Sequence, residues 1–175
     1  MNDIIIRPAR LSDAGEILKI YSPYVLDTAI TFEYDVPTEQ EFKERISATL
    51  SRYPYLVAVC GGKISGYAYA GQFHSRAAYS RSAELSVYVA CRHKRSGIGG
   101  ALYRELEKEL RQMGILNLYA CIAYSEDEDE YLTHDSVEFH RHMGFETVGK
   151  FNKCGCKFGR WYDMVYMEKI IGEHI

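Results

Sequence analysis

Residues 88–110 read YVACRHKRSGIGGALYRELEKEL: a strand-like apolar run, then the basic residues Arg92, His93, Lys94 and Arg95, then Gly97, Gly99 and Gly100, then a strong helix former. No other stretch constrains the fold as much. A helix start carries unpaired backbone N–H groups and a partial positive charge. Glycines there let the backbone approach an anion with no β-carbon in the way. The turn over Lys94, Arg95, Ser96, Gly97, Ile98, Gly99 and Gly100 is therefore predicted to hold a phosphate or diphosphate. It is not a P-loop, because no Gly-Lys-Ser/Thr follows. It is a poor dinucleotide fingerprint, because the glycine spacing differs and no acidic residue ends a following strand to take a ribose.

The flanking segments supply the elements that would position this turn. IIIRPA reads as a first strand ending near Pro8, and Ser12 as the N-cap of a helix whose Ile17, Ile20 and Tyr21 share a face. DTAITFEYDVP is a turn-rich connector with a strand-like middle. Thr38 and Glu41 form a capping box ahead of a second helix with Phe42, Ile46 and Leu50 as its buried stripe. YLVAVC and KISGYAYAG are strands around a Gly61-Gly62 hairpin turn. In AELSVYVA, Leu85, Val87 and Val89 share one face, and Glu84, Ser86 and Tyr88 the other. The helix from about Gly97 to about Met113 repeats Ile98, Leu102, Leu106 and Leu110 as a core stripe. LNLYACIA is a strand, SEDEDEYLTHD a solvated acidic loop, SVEFHRHM a short helix stopped by Gly144, and FETVGKF and WYDMVYMEKI finish the sheet. Several consecutive strands with a helical crossover predict an α+β chain with a mixed, mainly antiparallel sheet.

The chain of 175 residues, 47% apolar with a net charge of −3, fits a single domain over residues 1–175 with a sizeable core. That charge argues against a nucleic-acid or membrane-surface partner, so anion binding must be local. No segment has the length of a signal peptide's apolar stretch or a membrane span. Cys60, Cys91, Cys121, Cys154 and Cys156 are odd in number and scattered, which fits reduced core thiols, a cytoplasmic location and no bound metal.

Lys94-Arg-Ser-Gly97-Ile-Gly99 resembles the pyrophosphate loop of the GNAT N-acetyltransferases, Gln/Arg-x-x-Gly-x-Gly/Ala, with lysine in the first place. YAYAGQFHSRAAY, ELSVYVACRHKRSGIGGALY, FHRHMGF and KFGRWYDMVYM, in that order over roughly residues 4 to 169, look like the phosphinothricin acetyltransferase branch of that superfamily. The resemblance implies the GNAT fold, with a mixed sheet flanked by helices and splayed at the fourth strand so that the pantetheine of acetyl-CoA lies in the gap. It also implies direct acetyl transfer to the amine of a small amino acid or analogue of the phosphinothricin, methionine sulfone or methionine sulfoximine type, and a homodimer.

The resemblance carries residues with it. The backbone of Val87, Tyr88 and Val89 is expected to pair with pantetheine, an unfilled strand edge offering itself to an extended ligand. Glu84 is the expected base: acetyl transfer needs a neutral amine, and an alkylammonium is mostly protonated near neutrality. His140 falls where relatives carry a tyrosine that protonates the departing thiolate. Phe32, Glu33 and Tyr34 match a loop that walls the acceptor pocket, and Tyr69, Arg76 and Tyr79 match neighbouring positions. Arg76 could grip a carboxylate. Tyr162 and Asp163 fall in the last matched segment and would close the pocket. The acidic run replaces a shorter asparagine-aspartate-proline segment that contacts the coenzyme, with Asp135 and Ser136 the nearest equivalents. Two rival readings remain: the same chemistry on a protein N-terminus, lysine or polyamine, and a module that binds acyl-CoA without catalysis.

Overall fold

The computed structural model describes residues 4–174. Strand β1 (Ile5–Pro8) leads to helices α1 (Ala14–Asp27) and α2 (Glu39–Leu50). Strands β2 (Tyr55–Cys60), β3 (Lys63–Gln72) and β4 (Ser82–Val89) follow, then α3 (Ile98–Gln112), β5 (Asn117–Tyr124), α4 (Asp135–His142), β6 (Glu146–Lys157) and β7 (Arg160–Ile170). The sheet order is β1-β2-β3-β4-β5-β7-β6. Every neighbouring pair is antiparallel except β4–β5, whose crossover is α3.

Two cores lie on opposite faces of this sheet. Leu102, Leu106 and Leu110 of α3 pack on Ala58, Ala68, Ala70 and Ala83, small residues that let the helix lie close. Full burial of such a leucine contributes about 1.5–3 kcal/mol. Gly66 sets the approach of the helix start: a β-carbon there would come within 2.8 Å of Ile98 Cγ2. On the other face α1 and α2 bury Ile17, Ile20, Tyr21, Phe42 and Ile46 against Tyr55, Val57 and Tyr67. The Thr38–Glu41 capping box is present, and Gly61 and Gly62 both adopt positive φ, 58° and 78°, as a tight hairpin turn requires.

Four local expectations are corrected. Ser12 does not cap α1; it lies in a short 3-10 turn, and Asp13 precedes the helix with its carboxylate held by Arg7 at 2.7 Å and by the Arg10 amide. Leu50 is exposed at the helix end. The connector before α2 contains no strand. None of the five cysteines is buried; all are free, and Cys91, Cys121 and Cys154 are exposed. Among the described residues, no helix is long and apolar enough to cross a membrane.

Candidate active site

The parallel β4–β5 ladder has three rungs, Ser82–Asn117, Ala83–Leu118 and Glu84–Tyr119, and then stops. Beyond Glu84 the strands part. The gap is lined by Leu85–Tyr88 on one side and Ala120–Ala123 on the other, with Tyr103, Ser136 and His140 behind. The fourth strand is therefore the splay point that the resemblance implies. Antiparallel neighbours alternate between pairs that exchange hydrogen bonds and pairs that do not. Ala90 N donates to Ser65 O at 2.9 Å, so the exchanging pairs on β3 are those of Ala90, Tyr88, Ser86 and Glu84. Val87 and Val89 thus turn their amides toward the gap, whereas the amide and carbonyl of Tyr88 belong to the β3 ladder. The Tyr88 ring packs against Tyr21, Tyr24 and Tyr67. The Val89 carbonyl is taken by the Tyr24 hydroxyl at 2.6 Å.

The basic glycine turn stands at the end of β4. Gly97, at φ 83°, is the residue before α3, a left-handed conformation that glycine adopts at little cost. Ala101 N is the first amide to find a helical acceptor, Gly97 O at 3.0 Å, so those of Ile98, Gly99 and Gly100 have none within the helix. Ser96 Oγ donates to His93 O at 2.5 Å and tightens the turn. Arg95 also takes a positive φ, 61°, and pairs with Asp135 at 3.2 Å, bringing the start of α4 to the loop. Lys94 lies over the Tyr24 ring. Free amides, a helix start and exposed cations fit an anion of diphosphate size.

Glu84 is half-buried on the last rung. Burial raises its carboxyl above the usual range, and nearby His74 pulls it partly back. Tyr69 shares this face, across from Ser86 in the ladder and stacked on Tyr55 and Tyr67. Tyr79 lies edge-on to Phe73 and His74, at 5.8 and 4.9 Å between ring centres. Arg76 is exposed and makes no ion pair among the described residues.

The connector between α1 and α2 covers the same side. Phe32 fills the notch at Gly155 and faces Tyr162. Tyr34 donates to Cys156 O. Glu33 is bound by Arg45 at 2.7 Å, and its other oxygen is buried without a hydrogen-bond partner among the described residues. Buried Lys157 donates to Thr28 O and Thr31 O at 2.8 and 2.7 Å, clipping the connector to the β6–β7 hairpin. Tyr162 is 1% exposed and its hydroxyl goes to Asp129, so it supports Phe32 from behind. The acidic run is not simply solvated: Arg160 binds Asp129 and Glu130, each at 2.9 Å, and Asp129 accepts from the amides of Tyr131 and Leu132. Nothing in the chain's local pattern marks Lys157, Tyr103 or His74 as site residues. Arg160 and the acidic run were visible as opposite charges only.

His140 is 4% exposed, between two partners. Its Nδ1 lies 2.7 Å from Ser136 O, which can only accept, so Nδ1 carries the proton. Burial lowers its pKa to about 4, against some help from the Ser136 carbonyl. The ring is therefore neutral near pH ~7 and Nε2 is a bare acceptor for the Tyr103 hydroxyl at 2.9 Å. The unfolded chain, with the ordinary value of 6.5, binds more protons than the folded one in this interval. The contribution is complete above pH ~6.5 and falls away as the pH drops toward ~4, about 3 kcal/mol in all. Urea unfolding of the wild type should weaken steeply across that window, and His140→Gln should flatten the dependence.

A sheet opened at one rung, with a basic helix start of unpaired amides at one end of the gap and a half-buried carboxylate at the other, is an arrangement suited to an acyltransferase. A family profile described as an acetyltransferase (GNAT) domain matches residues 6–166, and the chain belongs to this family of N-acetyltransferases. It is 32% identical to a phosphinothricin N-acetyltransferase of Streptomyces viridochromogenes over 94% of this chain and 86% of that protein. It is 31% identical to the L-methionine sulfoximine/L-methionine sulfone acetyltransferase of Salmonella typhimurium over 97% of this chain and 95% of that one. A solved phosphinothricin acetyltransferase from Sinorhizobium meliloti, in complex with acetyl-CoA, superposes with a TM-score of 0.88 at 34% identity, covering 97% of this chain and 89% of the other.

Proposed function

We propose that this chain moves the acetyl group of acetyl-CoA to the amine of a small amino acid or analogue of the phosphinothricin, methionine sulfone or methionine sulfoximine kind. The observation that carries the reading is the opening of the sheet at the rung that holds a half-buried carboxylate. The names of the relatives supply the acceptor class.

The coenzyme brings the acetyl group as a thioester, already activated toward an amine. Residues Lys94–Gly100 hold its diphosphate through helix-start amides and cations, with Asp135 and Ser136 at the neighbouring start of α4. Val87 and Val89 offer their gap-facing amides to the pantetheine. Tyr88 contributes by packing. Glu84 takes the ammonium proton of the acceptor, directly or through water; its raised pKa makes it a better base than an ordinary carboxylate. No acyl-enzyme is required: the Cys121 thiol is open to the gap, yet the surrounding protein desolvates it and the Glu84 charge adds to the effect, raising it to about 11, so it stays protonated and a poor nucleophile.

On the acceptor side, Phe32, Glu33, Tyr34, Tyr69 and Tyr79 form the wall, and Arg76 is the exposed cation available to a carboxylate. Tyr162 acts through Phe32. The reaction itself calls for no metal. Val148 and Phe151 of β6 and Trp161 of β7 are exposed apolar side chains, which supports a homodimer through that edge. The five free thiols fit the cytoplasm.

Release of free thiol from acetyl-CoA should be measured over a panel of acceptors: phosphinothricin, methionine sulfone, methionine sulfoximine, peptide N-termini, lysine and polyamines. Release with the first three is the expected result. Release only with peptides or polyamines transfers the activity to the open-groove reading, and no release with any amine leaves a binding module.

A further inference from the structure

We propose that Tyr103 is a catalytic residue whose hydroxyl, positioned by His140, gives the departing sulfur a hydrogen bond as its charge develops. The inference rests on the acetyl-transfer reading and adds a residue from α3, which otherwise serves as core and anion-binding helix. Tyr103 is 2% exposed, yet its ring forms part of the gap wall with Leu85, Ser86, Ala120 and Cys121, just past the last β4–β5 rung. Its phenol is close enough to Tyr69 and Glu84 to feel their charge, which puts it toward the Glu84 end of the gap.

The polarity of the hydroxyl follows from its neighbour. Ser136 O fixes the proton on Nδ1 of His140, Nε2 is left as an acceptor, and Tyr103 donates to it at 2.9 Å. At rest the hydroxyl hydrogen is thus parked on the imidazole. A neutral thioester sulfur is too weak an acceptor to draw it away. A thiolate is charged, and a hydrogen bond to a charged acceptor is about twice as strong as one between neutral groups. Turning about the Cζ–O bond exchanges the weaker bond for the stronger, and only once the sulfur carries charge. The uncovering of Nε2 opposes the exchange and keeps the hydroxyl parked beforehand. An interaction made in the transition state and not in the ground state raises turnover without tightening substrate binding.

The step balances without an acid. Glu84 first passes the ammonium proton on to water and is a free carboxylate again; then the C–N bond forms, the C–S bond breaks with its electron pair going to sulfur, and the second proton lost by nitrogen goes to Glu84. Tyr103 keeps its proton, because burial and the nearby Tyr69 and Glu84 push its phenol far up. The thiolate leaves as an anion and gains a proton in water. His140, with no proton on the nitrogen that faces Tyr103, is a positioning residue and not the acid.

The test compares equilibrium binding of CoA and desulfo-CoA at a pH where the thiol is ionised. Wild-type protein should prefer CoA by about tenfold, and Tyr103→Phe should bind the two alike while holding desulfo-CoA within about twofold of wild type. Turnover at saturating substrates should fall about 10- to 100-fold in Tyr103→Phe with the KM for acetyl-CoA nearly unchanged. If loss of desulfo-CoA binding shows that this variant does not fold, fluorotyrosine at position 103, a stronger donor of the same shape, should raise the CoA preference. The same preference in all the proteins, or a rise in KM at constant turnover, overturns the proposal. Wild-type protein that releases no thiol with any amine sinks the acetyl-transfer reading instead, and the CoA and desulfo-CoA comparison still judges Tyr103.

Discussion

Glutamine in place of Glu84 should lower turnover by about 10²- to 10³-fold and leave the KM for acetyl-CoA within about twofold of wild type. The split follows from position. Glu84 is the last residue of β4 paired to β5, and the coenzyme's expected contacts begin beyond it, at the gap-facing amides of Val87 and Val89 and at the helix start. Glutamine keeps the volume and the strand, and removes only the capacity to take a proton. The pH dependence gives a second reading. Burial raises the Glu84 carboxyl, so the acid limb of kcat/KM should lie above the usual glutamate value of about 4.3. Activity should fall as the pH drops through that limb, because protonated Glu84 cannot act as base. In the glutamine variant the limb should vanish along with most of the rate. Wild-type turnover in the variant, or an unchanged acid limb on a reduced rate, removes Glu84 from this role.

The parts of the site that depend on local sequence are legible in the sequence alone. The alternation in SVYV separates the face that carries Glu84 from the face packed on α3, and a strand can satisfy that pattern in one way only. The glycine turn, the Thr38 cap and the Gly61-Gly62 hairpin are likewise decided within a few residues. What remained hidden depends on partners distant in the chain. Lys157 reads as one more surface lysine until Thr28 and Thr31 turn their carbonyls to it, some 126 to 129 residues away. Asp129 reads as part of a solvated acidic run until Arg160 and Tyr162 arrive beside it. The tautomer of His140 is set by one carbonyl within its own helix, but its consequence is set by Tyr103, 37 residues away. The cysteines misled for a related reason. Cys121 sits in an apolar strand, and apolar strands are usually covered on both faces; here the face it shares with Glu84 is left open beside the gap.

Alanine in place of Gly155 should lower kcat/KM for the acceptor amine by about 10²-fold and leave the KM for acetyl-CoA near its wild-type value. A β-carbon at Gly155 would lie 2.3 Å from Phe32 Cε2, closer than real atoms approach, so the ring must move by about 1 Å or more to restore ordinary contact. It has little room to do so. Its connector is clipped by Lys157 to the carbonyls of Thr28 and Thr31, Tyr34 is tied to Cys156, and Tyr162 stands behind the ring with its hydroxyl held by Asp129. The displaced wall would carry the acceptor away from the line between Glu84 and the acyl carbon, and misplacement of about 1 Å is enough for a loss of this size. The coenzyme's expected contacts lie on β4 and at the start of α3, outside this network. The clash has one partner, so the effect should depend on it: in a Phe32→Ala background, Gly155→Ala should cost less than about threefold, a strongly non-additive pair. Equal losses with and without the Phe32 ring would mean that Gly155 acts through the fold of the hairpin and not through the acceptor wall.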